Sequence, residues 1–267
     1  MILQSPGDVA FQIFGFPVYW YGIILAIACF VAVIVAKVIY AWVYKDNKSD
    51  FIWEVAPFVV ILGIIGARLY YCLVNIDYYL FHPIEIFYIR GGGLSIHGGL
   101  IAGVLGLFIA SRKYKIPFLS LLDVFSVGTV FAQSLGRWGN FFNNEAFGLP
   151  YNGAVKLYIP PALRPEGFLT LEYYHPTFLY ESFCDFIIFL VLLLVIKRFG
   201  VKFQGLTVCV YLMLYSLIRY FIEGIRLDSA LNIGNLHIAQ IISVIIFLLA
   251  FIFAVFIILR KNNLKHD

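Results

Sequence analysis

The stretch "DVFSVGTVFAQSLGRWGNFFNNEAFG", Asp123 to Gly148, is apolar over its first half and then packs Arg137, Asn140, Asn143, Asn144 and Glu145 into nine residues. The apolar half has the length and character of a helix buried in a bilayer or a protein core. The polar half is too dense to be a simple helix end. The fold class turns on which environment surrounds it. Of the 267 residues, 62% are hydrophobic and only 13% charged, with a mean hydropathy of +0.92. Soluble domains carry about 25% charged residues. The chain therefore reads as an all-α integral membrane protein, organised as a single polytopic domain over 1–267.

A helix needs about 20 mostly apolar residues to cross a bilayer. Seven windows meet this: 18–43, 51–74, 93–111, 118–142, 176–196, 204–223 and 236–259. Basic residues fix their orientation. Lys45 and Lys48, Arg112, Lys113 and Lys115, Lys197, Arg198 and Lys202, and Arg260, Lys261 and Lys265 occupy alternate connections. The opposite connections hold only Arg90, Lys156, Arg164 and Arg226. This alternation predicts an external N-terminus and a cytoplasmic C-terminus. No Lys or Arg precedes Lys37, so the start lacks the basic region of a cleavable signal peptide. Residues 75–92 suit a segment lying along the membrane surface. Residues 145–175, rich in Pro and Gly, suit a small external cap. Cys29, Cys72, Cys184 and Cys209 lie in or beside apolar runs without metal-ligand spacing, so they read as small apolar residues and no metal site is expected.

An ionisable residue inside a span costs about 2.5–3.5 kcal/mol on insertion scales, so it faces the bundle interior and has a role. The predicted topology sets nearly all of these residues at one depth, the outer-leaflet level. Arg137 and Glu145 end the fourth span, and Arg219, Glu223 and Arg226 end the sixth. His97 begins the third, His175, Tyr180 and Glu181 begin the fifth, Arg68 lies in the outer third of the second, and Tyr21 begins the first. The inner halves read as plain. Tyr215, Arg219, Glu223 and Arg226 step by 4, 4 and 3, one stripe on a helix, and Gln133, Arg137, Asn140 and Asn144 step by 4, 3 and 4, another. One stripe alone is best read as a structural ion pair such as Arg219–Glu223. Convergence of several helices at one depth favours a site.

In "GGGLSIHGGLIAGVLG", Gly91 to Gly106, the pair Gly99 and Gly103 forms a small-residue packing face. The glycines flanking His97, Gly98 among them, leave room for a ligand to approach the backbone. Arginines at headgroup depth suit a phospholipid phosphate, because guanidinium binds phosphate in bidentate fashion and keeps its charge. Asn140 and Asn143 would orient glycerol or ester oxygens. The chain offers no nucleophile triad, phosphate-binding loop or zinc spacing. Positioning, charge neutralisation and one general base remain, and His97 has the best unperturbed pKa for that base.

These residues are similar to a known family. "GRWGNFFNNEAFG" is similar to the signature of the prolipoprotein diacylglyceryl transferases, Gly-Arg-x-Gly-Asn-Phe-x-Asn-x-Glu-x-x-Gly, at every fixed position. "GGGLSIHGGLIAG" resembles the family's His-Gly-Gly motif. "WYG" at 20–22, "GARLYY" at 66–71, "HPTFLYES" at 175–182 and "YSLIRYFIEGIR" at 215–226 resemble further family blocks in the same order. Phe178 departs from the pattern, where a polar residue, commonly Gln, is expected.

The resemblance implies transfer of the diacylglyceryl group of phosphatidylglycerol to the lipobox Cys thiol of a prolipoprotein signal peptide. The products are a thioether-linked prolipoprotein and glycerol phosphate, the first step of bacterial lipoprotein maturation, at the outer face of the cytoplasmic membrane. It implies no cofactor. The partners it implies are the two substrates and membrane lipid, with no nucleic acid. His97 is then the candidate base, with Glu145 or Glu223 as rivals. Arg137 and Arg219 would hold the phosphate, Asn140, Asn143 and Gly98 would contact the headgroup, and Tyr21, Tyr215, Glu181, Glu223 and Arg226 would shape and balance the site. A transporter, a purely structural membrane protein and a membrane acyltransferase are the competing readings.

Overall fold

A computed structural model describes residues 1–45, 49–89, 92–227, 232–233 and 236–263. Lys48, Arg90, Gly91 and Lys265, used above for charge placement and motif, lie outside the described residues. Among these residues the chain forms eight α-helices: α1 (Trp20–Tyr44), α2 (Phe51–Val74), α3 (Ile76–Phe81), α4 (Ile96–Tyr114), α5 (Phe118–Asn143), α6 (Thr177–Phe199), α7 (Leu206–Glu223) and α8 (Ile238–Asn263). Six of them, α1, α2, α5, α6, α7 and α8, are long and apolar enough to cross a bilayer. The 19-residue α4 falls outside that set, because His97, its glycines and the terminal Arg112–Lys113 pair dilute its apolar run. All seven long helices begin within three residues of the predicted windows.

The burial pattern is that of a chain surrounded by lipid. Large apolar side chains such as Phe30, Ile64, Leu194 and Phe253 are exposed. The core is a narrow seam. Half of α5's apolar window is buried, against 17–33% for the other five spans, so α5 is the central post, packed on α1, α6 and α7. Leu121, Val124, Val127 and Val130 bury the inner length of α5 against Ile52, Ile188, Leu192 and Ile196.

The small-residue seam lies elsewhere than the sequence suggests. Gly99 and Gly103 make ordinary contacts across to α2, whereas the closest approach is at Gly98. A Cβ on Gly98 would come 2.2 Å from the Gly66 carbonyl oxygen, and a Cβ on Gly66 would come 2.7 Å from that of Gly98. These two backbones touch because neither residue has a side chain. Gly98 is buried in this contact, so packing accounts for its missing side chain.

The half of the bundle where α5 begins, predicted to be the inner one, is also less plain than expected. Asp123, near the start of α5, is fully buried and accepts the backbone amides of Gly205 (2.7 Å) and Val208 (2.8 Å). It caps the N-terminus of α7 from a neighbouring helix, satisfying two donors that the helix itself leaves open. Both oxygens are taken by backbone, so Asp123 forms a cap and not a step in a polar pathway.

The connections at the end of the bundle where α1 begins are ordered. Strand β1 (Ile2–Gln4) pairs in parallel with β4 (Lys156–Tyr158), which pairs antiparallel with β5 (Tyr173–Tyr174). Arg164 closes the long loop between the last two by donating to the carbonyls of Ile159 and Leu169. This sheet, with a core of Phe147, Leu157, Ile159, Tyr174 and Phe178, forms the small cap predicted for 145–175 and adds the chain's first residues to it. A hairpin of β2 (Val9–Ile13) and β3 (Phe16–Tyr19) leads into α1; its turn residues Phe14 and Gly15 have φ of 50° and 83°, as two-residue hairpin turns require. The sequence reading placed no strands in these first residues.

Arg68 explains the segment after α2. It is buried, and its guanidinium donates to five carbonyls: Ile86 (2.8 Å), Gly93 (2.9 Å), Tyr88 (3.1 Å), Gly92 (3.2 Å) and Glu85. Gly93 has φ +70°, and a Cβ there would meet Arg68 Nη1 at 2.4 Å. Arg68 thus ties down α3 and the 3₁₀ turn Pro83–Phe87, whose Phe81, Ile84 and Phe87 are exposed. The exposed apolar row suits a segment lying along the membrane surface.

Candidate active site

The signature stretch ends α5 and turns sharply. Asn144 takes the left-handed conformation at the C-terminus of the helix (φ 52°), which Asn tolerates better than most residues. It is therefore a cap, and the α5 stripe ends at Asn140. The turn brings Glu145 back toward the helix: its Oε1 accepts from Asn140 Nδ2 at 2.8 Å and from Asn143 Nδ2 at 3.4 Å. Two of the glycines are close-contact positions. A Cβ on Gly139 would meet the Tyr21 ring at 2.6 Å, so the absent side chain lets Tyr21 of α1 lie flat on α5. Tyr21 is also within electrostatic reach of both Glu145 and Arg137. A Cβ on Gly148 would meet the Ile225 carbonyl at 2.7 Å, where the chain threads between the end of α7 and the start of α6. Gly136 faces open space, and nothing packed there explains it.

The threading is locked by backbone. Gly148 donates to the His175 carbonyl (3.0 Å), Leu149 to that of Ile225 (2.8 Å) and Leu227 to that of Phe147 (3.3 Å). Thr177 Oγ1 donates to the Ala146 carbonyl. Ser182 donates to the Ser134 carbonyl (2.8 Å) and accepts from Trp138 Nε1 (3.2 Å). The blocks "HPTFLYES" and "GRWGNFFNNEAFG" are thus two sides of one joint between α5 and α6. Phe178, the departure from the family pattern, is buried against Phe141 and Trp138 (centroids 5.0 and 5.5 Å) and serves this joint as apolar packing.

Within that joint three arginines converge on one carboxylate. Arg137 Nη2 lies 2.6 Å from Glu181 Oε2. Arg219 Nη1 and Arg226 Nη1 lie 3.6 and 3.7 Å from Glu181 Oε1. Glu223 Oε2 holds Arg219 Nη2 at 2.6 Å, and Tyr215 OH accepts from Arg137 Nη2 at 3.2 Å. Asp185 Oδ2 stands 3.8 Å from Arg137 Nε. The cluster joins α5, α6, α7 and the turn after α7, and its formal charges balance at three against three. They are unevenly exposed. The carboxylate side chains of Glu181, Glu223 and Asp185 are 4%, 5% and 1% exposed, while Arg137 and Arg219 are 19% and 23% exposed. The carboxylates are the buried members of the cluster, and the arginine side chains keep the larger share of accessible surface, 12% at Arg226.

The structure therefore brings together Arg137, Arg219, Arg226, Glu181, Glu223 and Tyr215 in one network, with Asn140, Asn143, Glu145 and Tyr21 adjoining it along the end of α5. His97 is not part of the network. Its side chain is exposed at the start of α4, its ring centroid lies 6.0 Å from that of Tyr70, and among the described residues it has no hydrogen bond or ion pair to the arginines. Asp185 was missed in the sequence. It sits one helical turn from Glu181, and this i,i+4 acidic pair inside an apolar run was the available signal. Among the described residues no group of His, Cys, Asp and Glu could hold a metal ion.

Comparison with known proteins places this arrangement. The sequence profile of the family described as "Prolipoprotein diacylglyceryl transferase" matches residues 8–256, which run from β2 into α8. The chain is 41% identical over 268 residues to a phosphatidylglycerol–prolipoprotein diacylglyceryl transferase of Synechocystis sp., covering 98% of this chain and 93% of that protein. It is 41% identical to proteins of the same name from Clostridium novyi, over 97% and 96% of the two chains, and from Clostridioides difficile, over 97% and 99%. With its apolar helices it is a multi-pass membrane protein, and the chain belongs to the prolipoprotein diacylglyceryl transferase family.

Proposed function

We propose that this protein transfers the diacylglyceryl group of phosphatidylglycerol to the lipobox cysteine thiol of prolipoproteins. The relatives are named for this activity. The observation that carries the reading is the convergence of three arginines on one buried carboxylate, with the arginine side chains more exposed than the acids that hold them. A purely structural set of ion pairs has no need of arginines that stay partly accessible. A phosphate-binding surface requires them.

The reaction needs a thiolate. Its sulfur attacks the diacylglyceryl carbon that carries the phosphate, the C–O bond breaks, and glycerol phosphate leaves with the electron pair. The thiol proton goes to a base. Arg137 and Arg219 hold the phosphate and meet the charge that develops on the departing oxygen. Glu181, held by three arginines, fixes their relative positions before substrate arrives, and Tyr215 and Asp185 aim Arg137. Asn140 and Asn143, tethered through Glu145, orient the headgroup, and Tyr21 walls the site. The exposed His97 remains the candidate base, acting on a thiol delivered from the α2–α4 side, and Glu145 is its rival because it lies closer to the arginine network. Glu223, the other rival, is engaged by Arg219 at 2.6 Å. The enzyme needs no nucleophile of its own, since the substrate supplies the sulfur.

We place the chain in the bacterial cytoplasmic membrane as one domain of seven spans, α4 included, with an external N-terminus and the site at the outer leaflet. Basic connections alternate only if α4 crosses. The test is direct. Purified protein in phosphatidylglycerol liposomes is given a lipobox peptide, and the peptide is weighed by mass spectrometry. A gain of one diacylglyceryl group, absent for the Cys→Ser peptide, is expected. No gain from folded protein would overturn the assignment, and a thioester product would move it to acyl transfer.

A further inference from the structure

At the end of the bundle remote from the arginine cluster a cavity of about 400 Å³ opens where the α6–α7 connection meets the end of α8. Its polar wall holds Lys202, Arg260 and Lys261, and its apolar wall holds Phe253, Phe256 and Ile257. Two cations at this end have carboxylate partners: Lys37 pairs with Asp50 (2.6 Å) and Lys113 with Glu54 (3.9 Å). The three around the cavity have none among the described residues. The nearby Asp123 does not neutralise them, because it is fully buried and its oxygens are occupied by the amides of Gly205 and Val208. Membrane topology alone asks for basic residues on this side. It does not ask for three of them around one recess whose opposite wall is apolar. Basic recesses beside membrane helices bind anionic headgroups.

We infer that this recess is a second lipid site, distinct from the reaction site, that holds an anionic phospholipid of the cytoplasmic leaflet. The phosphate meets Lys202, Arg260 and Lys261, and the first part of an acyl chain lies on Phe253, Phe256 and Ile257. The apolar wall favours a lipid over a soluble anion.

The experiment uses phosphatidylcholine nanodiscs doped with a photoactivatable phosphatidic acid, followed by peptide mapping of the cross-links. Label should concentrate in 201–204 and 253–261 of the full chain. It should fall by roughly a hundredfold in the Lys202→Gln/Arg260→Gln/Lys261→Gln variant, given about 1 kcal/mol for each of the three basic residues at a charged headgroup surface. It should persist in Lys202→Arg/Lys261→Arg and resist competition by inorganic phosphate. A thermal midpoint near that of the unaltered protein shows that the triple variant is folded; if it is not, the unaltered map and the charge-keeping variant decide. Label spread evenly over the basic helix ends, or unchanged in the folded triple variant, would overturn the inference and leave these residues a topological role. Competition by phosphate would make the site one for soluble anions. Because the readout is cross-linking, failure of the transfer reaction would not affect it.

Discussion

Glu181 is the residue on which the cluster depends. A single carboxylate, 4% exposed, faces three guanidinium groups from three chain segments. Burying such a charge is tolerable only when it is fully answered, and removing one partner of a buried set leaves the others uncompensated. Glu181→Gln should therefore lower turnover more than Glu223→Gln, because Glu181 meets all three guanidinium groups; steady-state rates of the two folded variants check the order, and equal losses would mean that Glu181 is not the organiser. His175 provides a separate handle on pH. Its ring stacks on Tyr151 (centroids 3.9 Å), and partial burial holds its imidazole below the ordinary value of 6.5. Protonation thus opposes the fold. Its contribution is complete above pH 6.5 and is lost as pH falls through the lowered value of the folded state. The thermal midpoint should drop as pH falls from 6.5 toward that value, and His175→Gln should flatten that part of the curve.

At the scale of the elements, the tightest constraint between α2 and α4 is a backbone contact. Gly98→Ala would place a Cβ 2.2 Å from the Gly66 carbonyl, which cannot rotate away, so α2 and α4 must part. A cost of about 1–3 kcal/mol is expected, read as a lower thermal midpoint. Gly136→Ala, with nothing within 4 Å of its Cβ, should leave the midpoint unchanged. The helices themselves were legible, since apolar runs of bilayer length leave little choice of structure. The stripes on α5 and α7 were legible too, because helical spacing converts sequence steps into one face. Asp123 was not, because its partners are the amides of Gly205 and Val208, more than 80 residues away. Arg68 was read only as an ionisable residue in the outer third of the second span, since backbone carbonyls have no signature in sequence. Strands β1 to β3 were missed because β1 gains its meaning from β4, over 150 residues on.

The whole molecule is a bundle whose two ends do different work. One end carries the ordered cap and the arginine cluster, the other the basic connections and the recess beside α8. The odd number of crossings proposed here requires the termini to lie on opposite sides. In a background with the four native cysteines replaced, Gly167→Cys in the cap and Asn262→Cys at the end of α8 should react with a membrane-impermeant maleimide from opposite faces of sealed vesicles. Reaction from the same face would remove α4 from the set of spans. Family membership and activity class were readable because the thirteen-residue signature is dense in residues an apolar helix would otherwise exclude. The division of labour within the site was not, because burial beneath or exposure above cannot be read from spacing. The sequence alone set His97 alongside the arginines as one catalytic group; the structure sets His97 on the α2–α4 pair and the arginines at the α5–α6–α7 joint.

The central claim is that a geometrically fixed guanidinium at Arg137 holds the lipid phosphate. The transfer rate of Arg137→Lys tests it most directly. The substitution keeps the charge but loses the planar fork, and an ammonium cannot reach Glu181, Tyr215 and a phosphate together. With the thermal midpoint retained, transfer to the lipobox peptide should fall by about a hundredfold or more, as for loss of one preorganised donor to a developing negative charge. A rate within a few fold of the unaltered protein would contradict the account and return the arginine cluster to a structural role.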